Sequence, residues 1–356
     1  MAQMNLLIFN LKTDAKDSIL GFTTDWINAL AKKCNRVVII TMASGKISVD
    51  DNVTVYSVGK EKGYSELRRL FEFYRILYRV LKIEKIDGCF AHMMPLFAVL
   101  GFPLLKIRKI PIVLWYTHKS ITVTLKLAVY CSDKVITAAH HSFRIETPKK
   151  KVVGHGIDTN RFYLNTPTSH NNQFRIISVG RIMPVKRLDL LIKLVRDLCE
   201  KFPDKEISLD LVGDTYDSKD GDKYINDLRL LVEKYKLNNV VKFTGSVPFD
   251  NVNKVYKKAD CFINMSETGG VDKAVLEAMA CGVVVVVNDS FVEILGKEIS
   301  TNLVATDKDI LKKVINILEM SSQQRKILGK ELREIVINDH SLSAIANKII
   351  HEVKAH

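Results

Sequence analysis

Residues 261–288 read CFINMSETGGVDKAVLEAMACGVVVVVN, and their pattern decides the fold. A short apolar run, Cys261–Met265, gives way to a loop carrying Gly269 and Gly270. A helical stretch follows from about Asp272 to Cys281, stopped by Gly282 ahead of the run Val283–Val287. Strand, loop, helix and strand in this order form a βαβ unit, in which the two strands lie parallel. A loop that feeds a helix N-terminus presents unpaired backbone N–H groups and the positive end of the helix dipole, which suits a phosphate or diphosphate. Glu277, inside the helix, puts a carboxylate within reach of the same crevice, where it can accept hydrogen bonds from sugar or ribose hydroxyls.

The same alternation extends outward through all 356 residues. Val- and Ile-rich runs at 6–10, 37–41, 53–58, 86–91, 112–117 and 134–138 are separated by helical patterns. The scheme repeats with runs at 174–179, 207–212, 240–244, 261–265, 283–287 and 303–305. Such strands call for parallel sheets covered on both faces, and the length suits two domains. The expectation is an α/β chain of two doubly wound domains, 1–166 and 167–340, joined through the polar loop YLNTPTSHNNQ at 163–173. A last helix, 341–356, is a candidate to pack back on the first domain, which its spacing leaves open. Ligands of open parallel sheets bind beyond the C-terminal strand ends, so the cleft between the domains is the expected site.

Composition narrows the classes. A hydrophobic content of 47% and a charged content of 26% describe a globular protein with a sizeable core. The six cysteines have no C-x-x-C pair and no metal-ligand spacing, so buried thiols in a reducing compartment are expected. The N-terminus runs straight into a strand with no secretory pattern, and a cytoplasmic location is expected. The net charge of +13 is unevenly placed: residues 1–160 hold 24 Lys and Arg against 13 Asp and Glu, and residues 161–356 hold 29 against 27. An anionic partner is therefore expected for the first half alone. Nucleic acid fits the charge, but no recognised binding motif accompanies it.

A second informative stretch is FRIISVGRIMPVKR, residues 174–187. A strand ends at Gly180, and Arg181 and Lys186 follow just before a helix. Glycine permits close backbone approach, while Arg offers a fork and Lys a point charge to phosphate oxygens. Solvated basic residues at a helix start are the plain alternative.

Taken together, VGRIMPVK and the distant TGGVDKAVLEAMACG resemble the nucleotide-sugar glycosyltransferases of the GT-B fold, family 4, which retain anomeric configuration. HGIDTNRF at 155–162 is similar to the segment that precedes that family's interdomain linker, and VKFTGSVP at 241–248 fits its run into the donor site. The resemblance covers the second half closely and the first half loosely. It implies a transferase that moves a sugar from a nucleoside diphosphate sugar to a lipid-linked or surface-glycan acceptor. Arg181 and Lys186 would bind the diphosphate and neutralise the leaving group. Gly180, Gly269, Gly270, Val271, Asp272 and Lys273 would line the donor site, and Glu277 would meet the ribose. No metal or other cofactor is implied, because Arg, Lys and the helix dipole take that part. The family places two Glu with seven residues between them; counting back from Glu277, the first falls on Gly269. Asp272, opening the helix, is the nearer stand-in, and Glu267 reads as a loop residue.

In the first half, Gly21 is what remains of a glycine-rich loop of that family. His118, ending the fifth strand, stands where the family has a histidine near the donor sugar. His92, ending the fourth strand, and Lys119 are candidates for the acceptor, and His155 reads as hinge support. Residues 60–85 combine Lys60, Lys62, Arg68, Arg69, Arg75, Arg79, Lys82 and Lys85 with Phe71, Phe73, Tyr74 and Tyr78. With the apolar, proline-broken stretch 93–105 and the KIRK that follows, they suggest peripheral contact with an anionic membrane, at the inner face of the cytoplasmic membrane. Two rival functions remain: a catalytically silent sugar-nucleotide-binding or membrane-docking subunit, favoured by Gly269, and a nucleotide-sugar epimerase, disfavoured by the Arg–Lys and EAMACG pairing.

Overall fold

The computed structural model describes residues 4–17, 20–118, 120–164, 172–215, 219–248, 251–267 and 270–355. Gly269 and Lys119 lie outside the described residues. In chain order the elements begin with β1 (Met4–Thr13), α1 (Phe22–Ala31), β2 (Cys34–Ser44), β3 (Val53–Ser57), α2 (Glu66–Ile83), β4 (Gly88–His92) and α3 (Pro95–Ile107). Next come β5 (Ile112–Trp115), α4 (Val123–Cys131), β6 (Lys134–Thr137), β7 (Lys150–Val152), β8 (Gln173–Val179), α5 (Leu188–Lys201), β9 (Glu206–Val212) and α6 (Lys219–Lys234). The series closes with β10 (Val241–Gly245), α7 (Val252–Tyr256), β11 (Cys261–Asn264), α8 (Lys273–Ala280), β12 (Val284–Val287), α9 (Val292–Leu303), α10 (Ile310–Glu319), α11 (Ser322–Ile335) and α12 (Leu342–Lys354).

The chain forms two compact units, Met1–Asp158 with Asp339–His356, and Thr159–Asn338. The chain changes unit after Asp158: Ile157 is still held by first-unit backbone, whereas Thr159 O accepts from Arg333 Nη2 of the second unit at 3.2 Å. Ile157 N–H donates to His340 O at 2.7 Å, and Leu342 N–H donates to Ile157 O at 2.9 Å.

The first unit has a seven-stranded parallel sheet in the order β3-β2-β1-β4-β5-β6-β7. Alternate residues of the interior strand β1 point to opposite faces, so it feeds two cores. Leu7 and Phe9 join Phe73, Leu77, Phe97 and Leu125 under α2, α3 and α4. Leu6 and Ile8 join Trp26, Trp115, Ile345 and Ile349 under α1 and α12. The last helix thus belongs to the first unit, started by the Ser341 hydroxyl accepting from Ala344 N–H at 3.2 Å.

The second unit has a five-stranded parallel sheet, β10-β9-β8-β11-β12. The four valines of β12 are buried, as a strand covered on both faces requires. Residues 303–305, expected as a strand, contribute one isolated bridge, Val287 to Val304, because α9 runs through Leu303. Strand order reverses direction between β8 and β11 here, and between β1 and β4 in the first unit. These are the topological switch points at which open α/β sheets place ligands.

Candidate functional site

At the second switch point, close backbone approach explains the glycines. Gly180 follows β8 at φ +146°, with its N–H donating to Val212 O at 2.9 Å. Beside it Gly213, at φ +142°, packs so tightly that a Cβ there would stand 1.9 Å from Gly180 O. A side chain at either position would be strained. The chain then makes one 3₁₀ turn, Pro184–Lys186, and enters α5 through Arg187 in a left-handed conformation, φ 54°.

That turn aims Lys186 back across the strand end. A Cβ on Gly180 would lie 3.4 Å from Lys186 Nζ, so the lysine passes at van der Waals distance over the glycine. Lys186 Nζ donates to Asp272 Oδ2 at the start of α8. The same carboxylate accepts from Asn264 Nδ2 at 2.8 Å and, as the helix N-cap, from Ala274 N–H at 3.2 Å. Asp272 is thereby held from three sides, by β11, by the turn after β8 and by its own helix. Arg181 is exposed at the same strand end, where Gly180, Ile182, Lys186, Leu188 and Val212 line a small recess with it.

Backbone and ionic ties hold the loops after β8 and β11 together. Glu267 N–H donates to Val185 O at 3.0 Å, and the Arg187 guanidinium lies 3.1 Å from Glu267 Oε1 and 2.7 Å from Asp307 Oδ1. Glu267 is thus an ion-pair partner as well as a loop residue. Asn288, just after β12, donates to Ser266 O at 2.5 Å and so ties that strand end to the loop after β11. Gly270 faces open space and Val271 is buried ahead of the helix. Lys273 opens α8, one turn before Glu277.

Glu277 is 7% exposed, and its Oε2 accepts from Tyr256 Oη at 2.9 Å. Burial pushes the Glu277 carboxyl up; Lys273, the Tyr256 hydrogen bond and Arg161 act against that, while Asp272 adds to it. Burial and the neighbouring Glu277 push the Tyr256 phenol well up, which keeps it a neutral donor. Sequence reasoning missed Tyr256: it stands in the polar run NVNKVYKKAD, and nothing there points to a partner 21 residues on.

In the first unit the strand ends are dressed differently. Gly21 starts α1 with its N–H on Asp17 O at 3.0 Å, and a Cβ there would stand 2.6 Å from that oxygen. Lys12 Nζ donates to Asp17 Oδ2 at 2.6 Å, and Leu20 N–H to Asp17 Oδ1 at 2.6 Å. His92, 6% exposed, packs its ring 4.9 Å from Trp26 and 5.9 Å from Phe90. His118 is exposed, with Nδ1 accepting from Ser120 N–H at 3.1 Å. His155 N–H donates to Nδ1 of His340, whose pKa burial pushes down to about 4, so the acceptor is a neutral imidazole. Among the described residues no three His, Cys, Asp or Glu stand together as a metal site.

Residues 161–334 match the model of the family "Glycosyl transferases group 1". The GPI3 subunit of phosphatidylinositol N-acetylglucosaminyltransferase from Saccharomyces cerevisiae is 29% identical over 111 residues, 31% of this chain and 23% of the yeast subunit. The match thus spans about a quarter of that relative's length. An uncharacterized glycosyltransferase of Haemophilus influenzae is 26% identical over 273 residues, 73% of each chain. Among solved structures, Anabaena HepE in complex with UDP superposes with a TM-score of 0.74 at 18% identity, over 99% of this chain and 100% of that one. The second unit is therefore similar to glycosyl transferases group 1 along residues 161–334, and the chain carries the GT-B fold.

Proposed function

We propose that the protein is a retaining glycosyltransferase that moves a sugar from a nucleoside diphosphate sugar to a lipid-linked or surface-glycan acceptor. One observation carries the reading: Lys186, passing over Gly180, meets the start of α8 at the switch point of the second sheet. A diphosphate there has Lys186 and Arg181 on one side and the N–H groups of the Gly270–Lys273 segment on the other. The HepE structures, one with UDP and one with UDP and glucose, support a nucleotide and a sugar as ligands of this fold.

Arg181 and Lys186 neutralise the charge that develops on the departing diphosphate, and we assign that task to these side chains rather than to a metal ion. Glu277 accepts hydrogen bonds from the ribose hydroxyls, with Tyr256 fixing its Oε2. Asp272 positions Lys186 in the resting state. In the reaction the bond from the anomeric carbon to the phosphate oxygen breaks, its electron pair going to the diphosphate. The acceptor oxygen bonds to that carbon on the same face, and its proton passes to the departing phosphate oxygen.

The test is incubation with UDP-, GDP- and ADP-sugars, with and without lipid acceptors, while nucleoside diphosphate release is followed. One donor is expected to give release. Silence with every donor favours a binding subunit without turnover.

A further inference from the structure

We propose that α2 and α4 of the first unit form a docking surface for an anionic lipid bilayer. The inference stands independently of the transfer reaction. Helix α2 buries Phe73, Ile76, Leu77, Val80 and Leu81 against the sheet. It carries a second apolar row on its flank: Leu67, Leu70, Phe71, Tyr74 and Tyr78, at the i, i+3, i+4, i+7 and i+11 spacing of one helix stripe. This row is in solvent, with Leu67 81%, Phe71 67% and Tyr78 60% exposed. Beside it, on the side turned away from the sheet, run Arg68, Arg75, Arg79 and Lys82.

Helix α4 repeats the arrangement on a smaller scale. Leu125, Ala128 and Val129 face the core, and Val123, Leu127 and Tyr130 occupy the opposite side, Val123 being 76% and Tyr130 78% exposed. Both helices pack into the same core as α3, whereas α1 and α12 pack into the other, so the two apolar rows decorate one face of the sheet. Between them α3 ends in exposed Ile107 next to Lys106, Arg108 and Lys109.

Charge selects the occupant. Residues 60–109 hold eleven Lys and Arg against five Asp and Glu. A basic row running alongside an apolar row suits the boundary between headgroups and acyl chains: the apolar side chains enter, and the Arg and Lys heads reach back to the phosphates. Among the described residues no helix is long and apolar enough to cross a membrane, so the contact lies in the plane of the surface.

The experiment is co-sedimentation of the full chain with vesicles of phosphatidylcholine alone and of phosphatidylcholine mixed with phosphatidylglycerol. The protein is expected to pellet with the anionic vesicles only, and less so as salt rises. Phe71→Ser with Tyr78→Ser, and separately Val123→Ser with Tyr130→Ser, are expected to lower the partition about tenfold at unchanged circular dichroism. Arg79→Glu with Lys82→Glu should remove its salt dependence. Hydrogen exchange of the unmodified chain supplies a readout that needs no variant: vesicles should slow α2 and α4 and leave α1 unchanged. Equal partition onto both vesicle types, binding indifferent to these residues, or a dimer in sedimentation velocity that the Phe71 and Tyr78 changes dissolve would each overturn the proposal.

Discussion

The two units place a switch point in equivalent positions of two parallel sheets and equip them with different side chains. In the second unit the strand ends are polar and cross-linked: Lys186, Asp272 and Asn264 form one hydrogen-bonded chain, and Arg187 bridges Glu267 and Asp307. In the first, His92 is folded into an aromatic cluster with Trp26 and Phe90, and the loop after β1 spends Asp17 on its own backbone and on Lys12. Equal topology therefore offers two places for a ligand without saying which ligand; the side chains decide.

The largest expected effect falls on the second unit. Lys186→Ala should lower turnover by about 10²–10³-fold, the usual loss when one donor to a developing anion is removed, while circular dichroism stays unchanged. Nucleoside diphosphate release measures it, and full activity would remove the second switch point from the reaction.

Glu277 gives an effect of intermediate size, read as stability. Its carboxyl is raised by burial, so between the ordinary carboxylate value and the raised one the folded state binds more protons than the unfolded. Stability is then fully present at low pH and declines as pH climbs through that window. Urea unfolding across a pH series should show the decline in the unmodified chain and its loss in Glu277→Gln. Tyr256→Phe, which takes away a hydrogen bond that lowers the Glu277 pKa, should stretch the window upward; an unchanged profile would detach Tyr256 from Glu277.

The smallest effect is expected in the first unit. His92→Phe keeps a ring in the aromatic cluster and should leave nucleotide affinity, measured by calorimetry, within about twofold, well under the 1.4 kcal/mol of a tenfold change. A larger shift would erase the contrast between the two switch points.

What could be read in advance follows from range in the chain. Strand, loop and helix at 261–287 are local, set by valine runs, a glycine stop and an Asp cap, and they stand in the structure as β11, α8 and β12. The pairing of Lys186 with Asp272 spans 86 residues, and no local pattern announces it. Strand β7 was hidden because Lys150–Val152 has no apolar alternation; it forms by pairing with β6. Helix α11 escaped notice among its polar residues, although Ser321 and Gln324 make the reciprocal cap that starts it.

The ion pair between Lys186 and Asp272 has one more consequence for the proposed reaction. In the resting chain the lysine already has a counter-ion, supplied from within. A diphosphate arriving there displaces a carboxylate instead of filling an empty charge. Its capture is an anion exchange, and the released Asp272 stays tethered to Asn264 and α8, ready to reclaim the lysine once the nucleotide leaves.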